Sequence, residues 1–349
     1  MKKLRLGVII GGKSNEHEIS LLSGYGVLSN LNPEKYSVYV IIISENGDWF
    51  LYSGDFEKIK DGRWKEDREN LKDVVMTSSG KLLLLQGRSE FIELDVVFPV
   101  LHGLNGEDGK IQGLFEIAEI PFVGSKTASS AVCMDKDFTN SILAQNNINI
   151  ADWITLRRRE KKTFDEMKKK IEKQLHYPVF VKPANSGSSV GTSKVKNAET
   201  LEMAIDLAFR EDNKILVQKA IEGQEIECAV LGNDDPTASF PGEIEPCNEF
   251  YDYEAKYFKP SVLHLPARIG DEAAETIKST SKKVYNILGC HGMARVDYIL
   301  DQNGNAWLME LNTIPGFTEI SMYPKMLEKM GIGYSELLDS LISLALETH

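Results

Sequence analysis

Apolar runs of four to ten residues, cut by glycine-rich and polar turns, recur along the chain and predict alternating strands and helices. Residues 4–10 (LRLGVII) read as a buried strand that stops at Gly11-Gly12. SNEHEISLLSGYGVLSNL then reads as a helix capped by Ser14 or Asn15. YSVYVIIIS (36–44) is a second strand, rich in β-branched residues, and NGDWFLYSGD a turn with a short hairpin. LDVVFPVLHG (94–103) is a third buried strand, running into the glycine-rich loop HGLNGEDG. Apolar strands in strand–helix–strand order predict a parallel α/β unit, with its functional loops at the strand C-terminal ends.

The texture changes near residue 125. SSAVCMDKDFTNSILAQNN reads as helical, and RRREKKTFDEMKKKIEKQL as a basic helix whose charges form a solvated face. YPVFVKP is a strand followed by the loop ANSGSSVGTSKV, and 214–232 reads as strand, turn and strand. A hairpin, MARVDYIL–DQNGN–AWLMEL, precedes a helical tail. There are no internal repeats or low-complexity segments.

Length and composition narrow the class. With 349 residues the chain has room for two or three domains. It is 42% hydrophobic and 26% charged, as in ordinary soluble proteins. A net charge of -12 argues against broad nucleic-acid binding, so an anionic substrate must be met by local cations or metals. Cys133, Cys228, Cys247 and Cys290 form no CxxC pair, which fits a reducing cytosol. The apolar N-terminal stretch is short and lacks a cleavage pattern, and no run is long enough to span a membrane. A cytoplasmic protein with neither nucleic acid nor membrane as partner is expected.

Four constellations could carry chemistry. KPANSGSSVG (182–191) follows a strand; its small residues let backbone N–H groups approach an anion, and Lys182 adds a point charge. The spacings GxxxxGK[ST] and GxGxxG are absent, and an ordinary flexible loop explains the segment equally well. In the hairpin, Arg295 and Asp297 lie two apart, as do Glu310 and Asn312 on the next strand. All four share one face if the turn has an even number of residues, as a four-residue loop would give. The oxygen donors suit Mg²⁺ held with phosphates, or the carboxylates form a buried ion-pair network with Arg295. Glu16 and His17 fall at a strand end where a small ligand binds, or Glu16 simply favours a helix N-terminus. His102 is either ligand-facing or a satisfied loop histidine. FYDYEAKY (250–257) is either a lid that excludes water or a folded surface loop.

In order along nearly the whole chain, GGKSNEHEISLLSG, VFPVLHGLNGEDGKIQGLFE, IPFVGS, CMDK, VFVKPANSGSSVG, FYDYEAKY, GMARVDY and MELNTIPGFTEISMYP resemble the D-alanine–D-alanine ligase family of the ATP-grasp fold. The resemblance implies an N-terminal α/β domain (1–124) holding the first D-alanine. It implies a central ATP-grasp subdomain (125–215) with the phosphate loop, and a C-terminal one (216–349) with the metal and second-substrate sites. The implied reaction joins two D-alanines for cell-wall synthesis: ATP phosphorylates one carboxylate, and the amine of the second substrate attacks the acyl phosphate.

By the same resemblance Asp297, Glu310 and Asn312 bind two Mg²⁺ ions (Mn²⁺ as a substitute), with Glu310 shared. Lys136 and Lys182 contact phosphates, and the loop with Ser189 and Val190 closes over them. Val217, Gln218, Lys219 and Ala220 form the hinge that meets adenine, and Glu225 meets the ribose. Arg295 and the Gly316 N–H stabilise the tetrahedral intermediate. Glu16 anchors the first ammonium and is chained through Ser188 to Tyr257 of the lid. His102 borders the first amino acid; Ser321, Lys256 and Met322 border the second, and Ile19 is a further substrate-binding residue. A homodimer is implied too.

Gln218 departs from the Glu common at its position, though a carboxamide oxygen still accepts one hydrogen bond. Glu319-Ile320 replaces residues that are often small or polar. Lys256-Tyr257 argues against D-lactate as second substrate, since a nearby cation favours a neutral amine nucleophile. Met322 stands where D-serine enzymes tend to carry Arg, which favours D-alanine, with a D-alanine–D-serine ligase as the alternative. A non-catalytic nucleotide-binding regulator would be expected to have lost Arg295 or the metal ligands, and a nicotinamide dehydrogenase would need GxGxxG.

Overall fold

Three sheets carry the chain in a computed structural model that describes residues 2–85, 90–160, 162–245 and 262–347. The first contains β1 (Leu4–Gly11), β2 (Tyr36–Ile43), β3 (Trp49–Tyr52), β4 (Leu71–Met76), β5 (Lys81–Leu84), β6 (Phe91–Glu93) and β7 (Val96–Pro99). Strands β2, β1 and β7 run parallel with β1 in the middle, and β3 to β6 extend the sheet antiparallel beyond β2. β1 is covered on both faces, which explains its unbroken apolar run. Leu6, Val8 and Ile10 join one core, and Ile9 joins Val97, Phe115 and Phe122 in another. Helix α1 (His17–Asn30) follows β1. Its N-cap is Glu16 rather than Ser14 or Asn15. Ser14 Oγ accepts the Glu16 N–H at 3.0 Å, which begins the turn two residues earlier. The short helix α2 (Glu57–Lys60) leans on α1, and α3 (Lys110–Ile117) covers the Ile9 face.

The helical segment from 129 to 147 is divided into two helices, α4 (Thr127–Met134) and α5 (Lys136–Gln145). Asp135 is extended between them and caps α5, accepting the N–H groups of Asp137 and Phe138. The second sheet, ordered β10-β9-β11-β8, contains β8 (Trp153–Arg157), β9 (Val179–Pro183), β10 (Ser193–Val195) and β11 (Lys214–Lys219). One face packs Val179, Val181, Ile215 and Val217 against α6 (Phe164–Gln174) and α7 (Leu201–Glu211). The basic helix is solvated as expected: Ile171 alone is buried on α6, which starts with a Thr163–Glu166 capping box.

The third sheet comprises β12 (Gly223–Gly232), β13 (Thr237–Ala238), β14 (Gly242–Glu245), β15 (Val262–His264), β16 (Gly292–Asp301) and β17 (Ala306–Asn312). Its core face packs Ile226, Cys228, Val296 and Tyr298 under α8 (Asp271–Ile287). The strand–turn–strand pattern of 214–232 is therefore not a hairpin, because β11 and β12 lie in different sheets. A division at 215/216 cuts β11, whose partners β8 and β9 are central; the chain changes sheets between Lys219 and Gly223. The last helices, α9 (Met322–Lys329) and α10 (Tyr334–Glu347), return to the first core, where Tyr323, Leu337, Leu341 and Ile342 meet Leu6, Val8 and Phe98. No helix among the described residues is long and apolar enough to cross a membrane.

Candidate active site

The loops after β1 and β7 meet where the sheet order turns around β1, the position at which parallel sheets place ligands. Ser20 Oγ joins them, accepting the Gly11 N–H at 2.7 Å and donating to the Val100 carbonyl at 2.5 Å. Ser14 Oγ donates to the His102 carbonyl at 2.8 Å. These bonds hold Glu16, which is 7% exposed, against Gly103. A Cβ on Gly103 would lie 2.2 Å from Glu16 Oε2, and φ there is +72°. The His102 ring is buried, bonded to Ser23 at 2.9 Å and to the backbone of Ile314. Burial lowers its pKa to about 4, so it is neutral near pH 7 and supplies hydrogen bonds rather than charge.

Across the cleft, β9 presents Phe180 and Lys182 on the face opposite to its core, because side chains alternate. The serine loop that follows folds back on Glu16. Ser188 Oγ donates to Glu16 Oε1, and a Cβ on Gly187 would sit 2.7 Å from the other carboxylate oxygen. Ser188 and Ser189 both have positive φ, +46° and +60°, a conformation that costs non-glycine residues of order 1–3 kcal/mol each. The Val190 N–H closes a turn to Gly187 at 3.1 Å. Lys136, the first residue of α5, donates from Nζ to the Ser186 carbonyl at 2.6 Å and lies 3.9 Å from Glu310 Oε2. Its helix start is fixed by Asp135, which is ion-paired with the buried Lys214.

The hairpin brings Asp297 opposite Glu310 and Arg295 opposite Asn312, but not through an even turn. Asp301 and Asn305 close a loop of three residues, with Gly304 at φ +79°. The register then shifts between Asp297 and Tyr298, leaving Met309 as the extra residue. This bulge restores the parity the loop removes. Leu308 and Leu311 both enter the core, while Met309 and Glu310 both face the cleft. Arg295 grips Asp297 with two bonds, 2.8 and 2.6 Å, and lies 3.2 Å from Glu227 of β12. Asn312 Nδ2 donates to Asp297 at 3.0 Å. Burial opposes the charge on Arg295, but Asp297, Glu227 and Glu310 raise its pKa above the ordinary value. The ion-pair network and the oxygen-donor cluster are thus the same residues. Two opposed carboxylates and a carboxamide remain a fitting donor set for Mg²⁺, because each carboxylate oxygen accepts more than one bond.

A cleft of about 480 Å³ separates these two surfaces. Apolar Phe180, Ile221, Ile299 and Met309 line it beside Lys194, Glu222 and Glu225. Gln218, opposite Phe180 in register, is 1% exposed. Its Nε2 donates to the Ala151 carbonyl at 3.2 Å, and Oε1 has no partner among the described residues. That orphan acceptor fits a ligand amino group. The N–H groups of Lys219 and Ala220 are bonded to Asp152 and Pro178.

Gly316 and Ser321 are adjacent: a Cβ on Gly316 would be 2.7 Å from Ser321 Oγ, which also accepts the Thr318 N–H at 3.0 Å. Ile19 and Met322 are buried and do not line the cleft; the Met322 methyl instead packs where a Gly242 Cβ would stand. Ile320 is 58% exposed, and nothing in the structure explains Glu319-Ile320. Lys256, Tyr257 and the rest of FYDYEAKY lie outside the described residues.

Sequence reasoning missed Phe180, Ile221, Met309, Glu227 and Glu107. The first three show only as ordinary apolar residues, and the parity of β12 against β16 is what selects Glu227. Glu107 accepts the Gly103 N–H at 2.7 Å and the Ile314 N–H. Burial and the nearby Glu16 charge raise its pKa from 4.5 to about 8. Between those values the ligand-free folded chain keeps a proton that the unfolded chain releases, so stability falls as pH rises through this window. Glu107→Gln should remove that slope. Unfolding midpoints measured from pH 5 to pH 8 should favour the variant increasingly, by about 1 kcal/mol or more at the upper end; a constant gap would refute the protonated carboxyl.

Comparison with known proteins agrees with this geometry. Family models for the D-ala D-ala ligase N-terminus and C-terminus match residues 5–125 and 142–343. A D-alanine--D-alanine ligase of Thermoanaerobacter sp. (strain X514) is 48% identical over 355 residues, covering 100% of this chain and 98% of the relative. The structure of VanG D-Ala:D-Ser ligase from Enterococcus faecalis superimposes with a TM-score of 0.91 at 41% identity, covering 99% of this chain and 100% of that one. The D-alanine-D-alanine ligase from Coxiella burnetii gives 0.88 at 34% identity, covering 100% and 95%.

Proposed function

The chain belongs to the D-alanine–D-alanine ligase family, and on that premise we propose how its cleft works. It is an ATP-dependent ligase that joins two D-alanines. The observation that carries the mechanism is the Ser188–Glu16 bond, because it joins the first-substrate loop to the phosphate loop.

Adenine would lie in the apolar slot between Phe180, Ile221, Ile299 and Met309, with its amino group on Gln218 Oε1 and the ribose at Glu225. Lys136, Lys182 and the loop at Ser189 and Val190 would hold the phosphates. Mg²⁺ held by Asp297, Glu310 and Asn312 would supply neutralisation of the phosphate charge. The first D-alanine would pair its ammonium with Glu16, which aims its carboxylate at the γ-phosphate. A carboxylate oxygen attacks phosphorus, ADP departs and an acyl phosphate forms. The neutral amine of the second D-alanine, seated near Ser321, then attacks the carbonyl carbon. The carbonyl oxygen becomes an oxyanion facing Arg295 and the Gly316 N–H, phosphate leaves, and the amide nitrogen loses its proton. Lys256 and Tyr257 would close the site, excluding water from the acyl phosphate.

The family resemblance also supports a cytoplasmic homodimer whose product enters peptidoglycan synthesis. The second substrate is tested by incubation with ATP, Mg²⁺, D-alanine, D-serine and D-lactate together, with products identified by mass. D-alanyl-D-alanine should dominate and the D-lactate ester be absent. A small D-alanyl-D-serine fraction is compatible, since an apolar pocket rejects an added hydroxyl by only about 10²-fold. Dominant D-alanyl-D-serine would place the chain with the VanG-type enzyme instead.

A further inference from the structure

Next to Glu16 in the chain, but outside the lining of the cleft, His17 meets Glu18 and Glu45. One ligand atom from each lies within 4.8 Å of the other two. His17 is 3% exposed. Its Nδ1 lies 2.9 Å from the Gly12 carbonyl, which only accepts, so Nδ1 carries the hydrogen. Nε2 is then the lone-pair nitrogen, and it is buried with no partner among the described residues. Metal-ligating histidines are commonly held this way, one nitrogen donating to a backbone carbonyl and the other on the ion. The opposing cation is Lys65, whose Nζ is 3.2 Å from Glu45 and 3.9 Å from Glu18.

We propose that His17, Glu18 and Glu45 form a second metal site, for a divalent transition metal of the Zn²⁺ type, distinct from the Mg²⁺ site in the cleft. An imidazole with two carboxylates selects such ions over Mg²⁺, which prefers oxygen alone. Three protein ligands leave a coordination position for water. The ammonium of Lys65 occupies the carboxylates when no ion is bound and swings out when one enters. Because His17 follows Glu16 directly, the ion pins the start of α1 and with it the carboxylate facing Ser188.

The test titrates Zn²⁺ into the full chain under saturating Mg²⁺, with bound metal counted after equilibrium dialysis. Glu45 is exposed, so Glu45→Gln should fold normally and weaken this one Zn²⁺ by about tenfold or more. Lys65→Met should tighten it by about fivefold, since it removes the competing charge. In long-range ¹H–¹⁵N spectra Zn²⁺ should shift the His17 Nε2 resonance and leave Nδ1–H in place. Equal Zn²⁺ binding by wild type and Glu45→Gln would overturn the site. So would Zn²⁺ that is lost in Glu310→Gln but kept in Glu45→Gln, which would put the ion in the cleft. Neither readout depends on ligase activity.

Discussion

Glu310→Gln should lower kcat by about 10²–10³-fold at saturating ATP and D-alanine while the protein stays folded. The carboxylate faces the cleft opposite Asp297, 3.9 Å from the Lys136 ammonium, and is only partly buried. Glutamine keeps its shape and removes one charge from the place where phosphate charge must be balanced. Asp297→Asn should cause a comparable loss and in addition lower the unfolding midpoint. Asp297 accepts two hydrogen bonds from the part-buried Arg295, and neutralising it leaves Glu227 as the remaining carboxylate in ion-pair contact among the described residues. Steady-state kinetics over a range of Mg²⁺ concentrations, paired with thermal unfolding, separates the two. Near-normal kcat in Glu310→Gln at all Mg²⁺ concentrations would remove the carboxylate from the metal set.

Gly103→Ala is expected to lower kcat/KM for D-alanine by about 10–100-fold, with ATP binding unchanged. The added methyl would stand 2.2 Å from Glu16 Oε2, at a backbone φ of +72°. Left-handed backbone costs an L-residue roughly 1–2 kcal/mol, so the loop and the carboxylate both shift. A displacement of about 1 Å at a positioning group suffices for a 10²-fold loss. Gly187→Ala approaches the same carboxylate from the serine loop, at 2.7 Å, and should act in the same direction. Gly270→Ala is the control: φ there is -73° and nothing lies within 4 Å of the added atom. Wild-type D-alanine kinetics in Gly103→Ala would detach Glu16 from the first-substrate site.

Much of this molecule was legible because burial leaves a period. β1 and β2, apolar apart from Arg5 and Ser37 near their starts, read as inner strands, and the Gly11-Gly12 break places Glu16 at the end of β1. The hairpin was legible as a hairpin but not in its turn. A shared face needs an even loop, whereas Gly304 makes a three-residue one and Met309 corrects it. The signal was present: Leu308 and Leu311 are an odd distance apart, and no regular strand buries both. The break at Asp135 was hidden for a different reason. Aspartate inside an apolar helical pattern reads as one solvated position, and its capping role shows only once Asp137 and Phe138 turn their N–H groups to it. Glu107 was invisible because its character comes first from burial and then from Glu16, neither of which shows in its local sequence.

Helix α10 holds no candidate site residue, yet it closes the core beneath the strands that lead to Glu16 and His102. Leu337, Leu341 and Ile342 cover Leu6 and Val8, and Tyr36 and Lys35 both bind Asp339, at 2.6 and 2.5 Å. During synthesis the first strands leave the ribosome some three hundred residues before the segment that shields them. Until then that apolar face of the nascent sheet lacks the helix that covers it in the folded protein. Burial of that face is therefore tied to a distant part of the chain: Leu6 and Val8 wait for a helix some three hundred residues downstream.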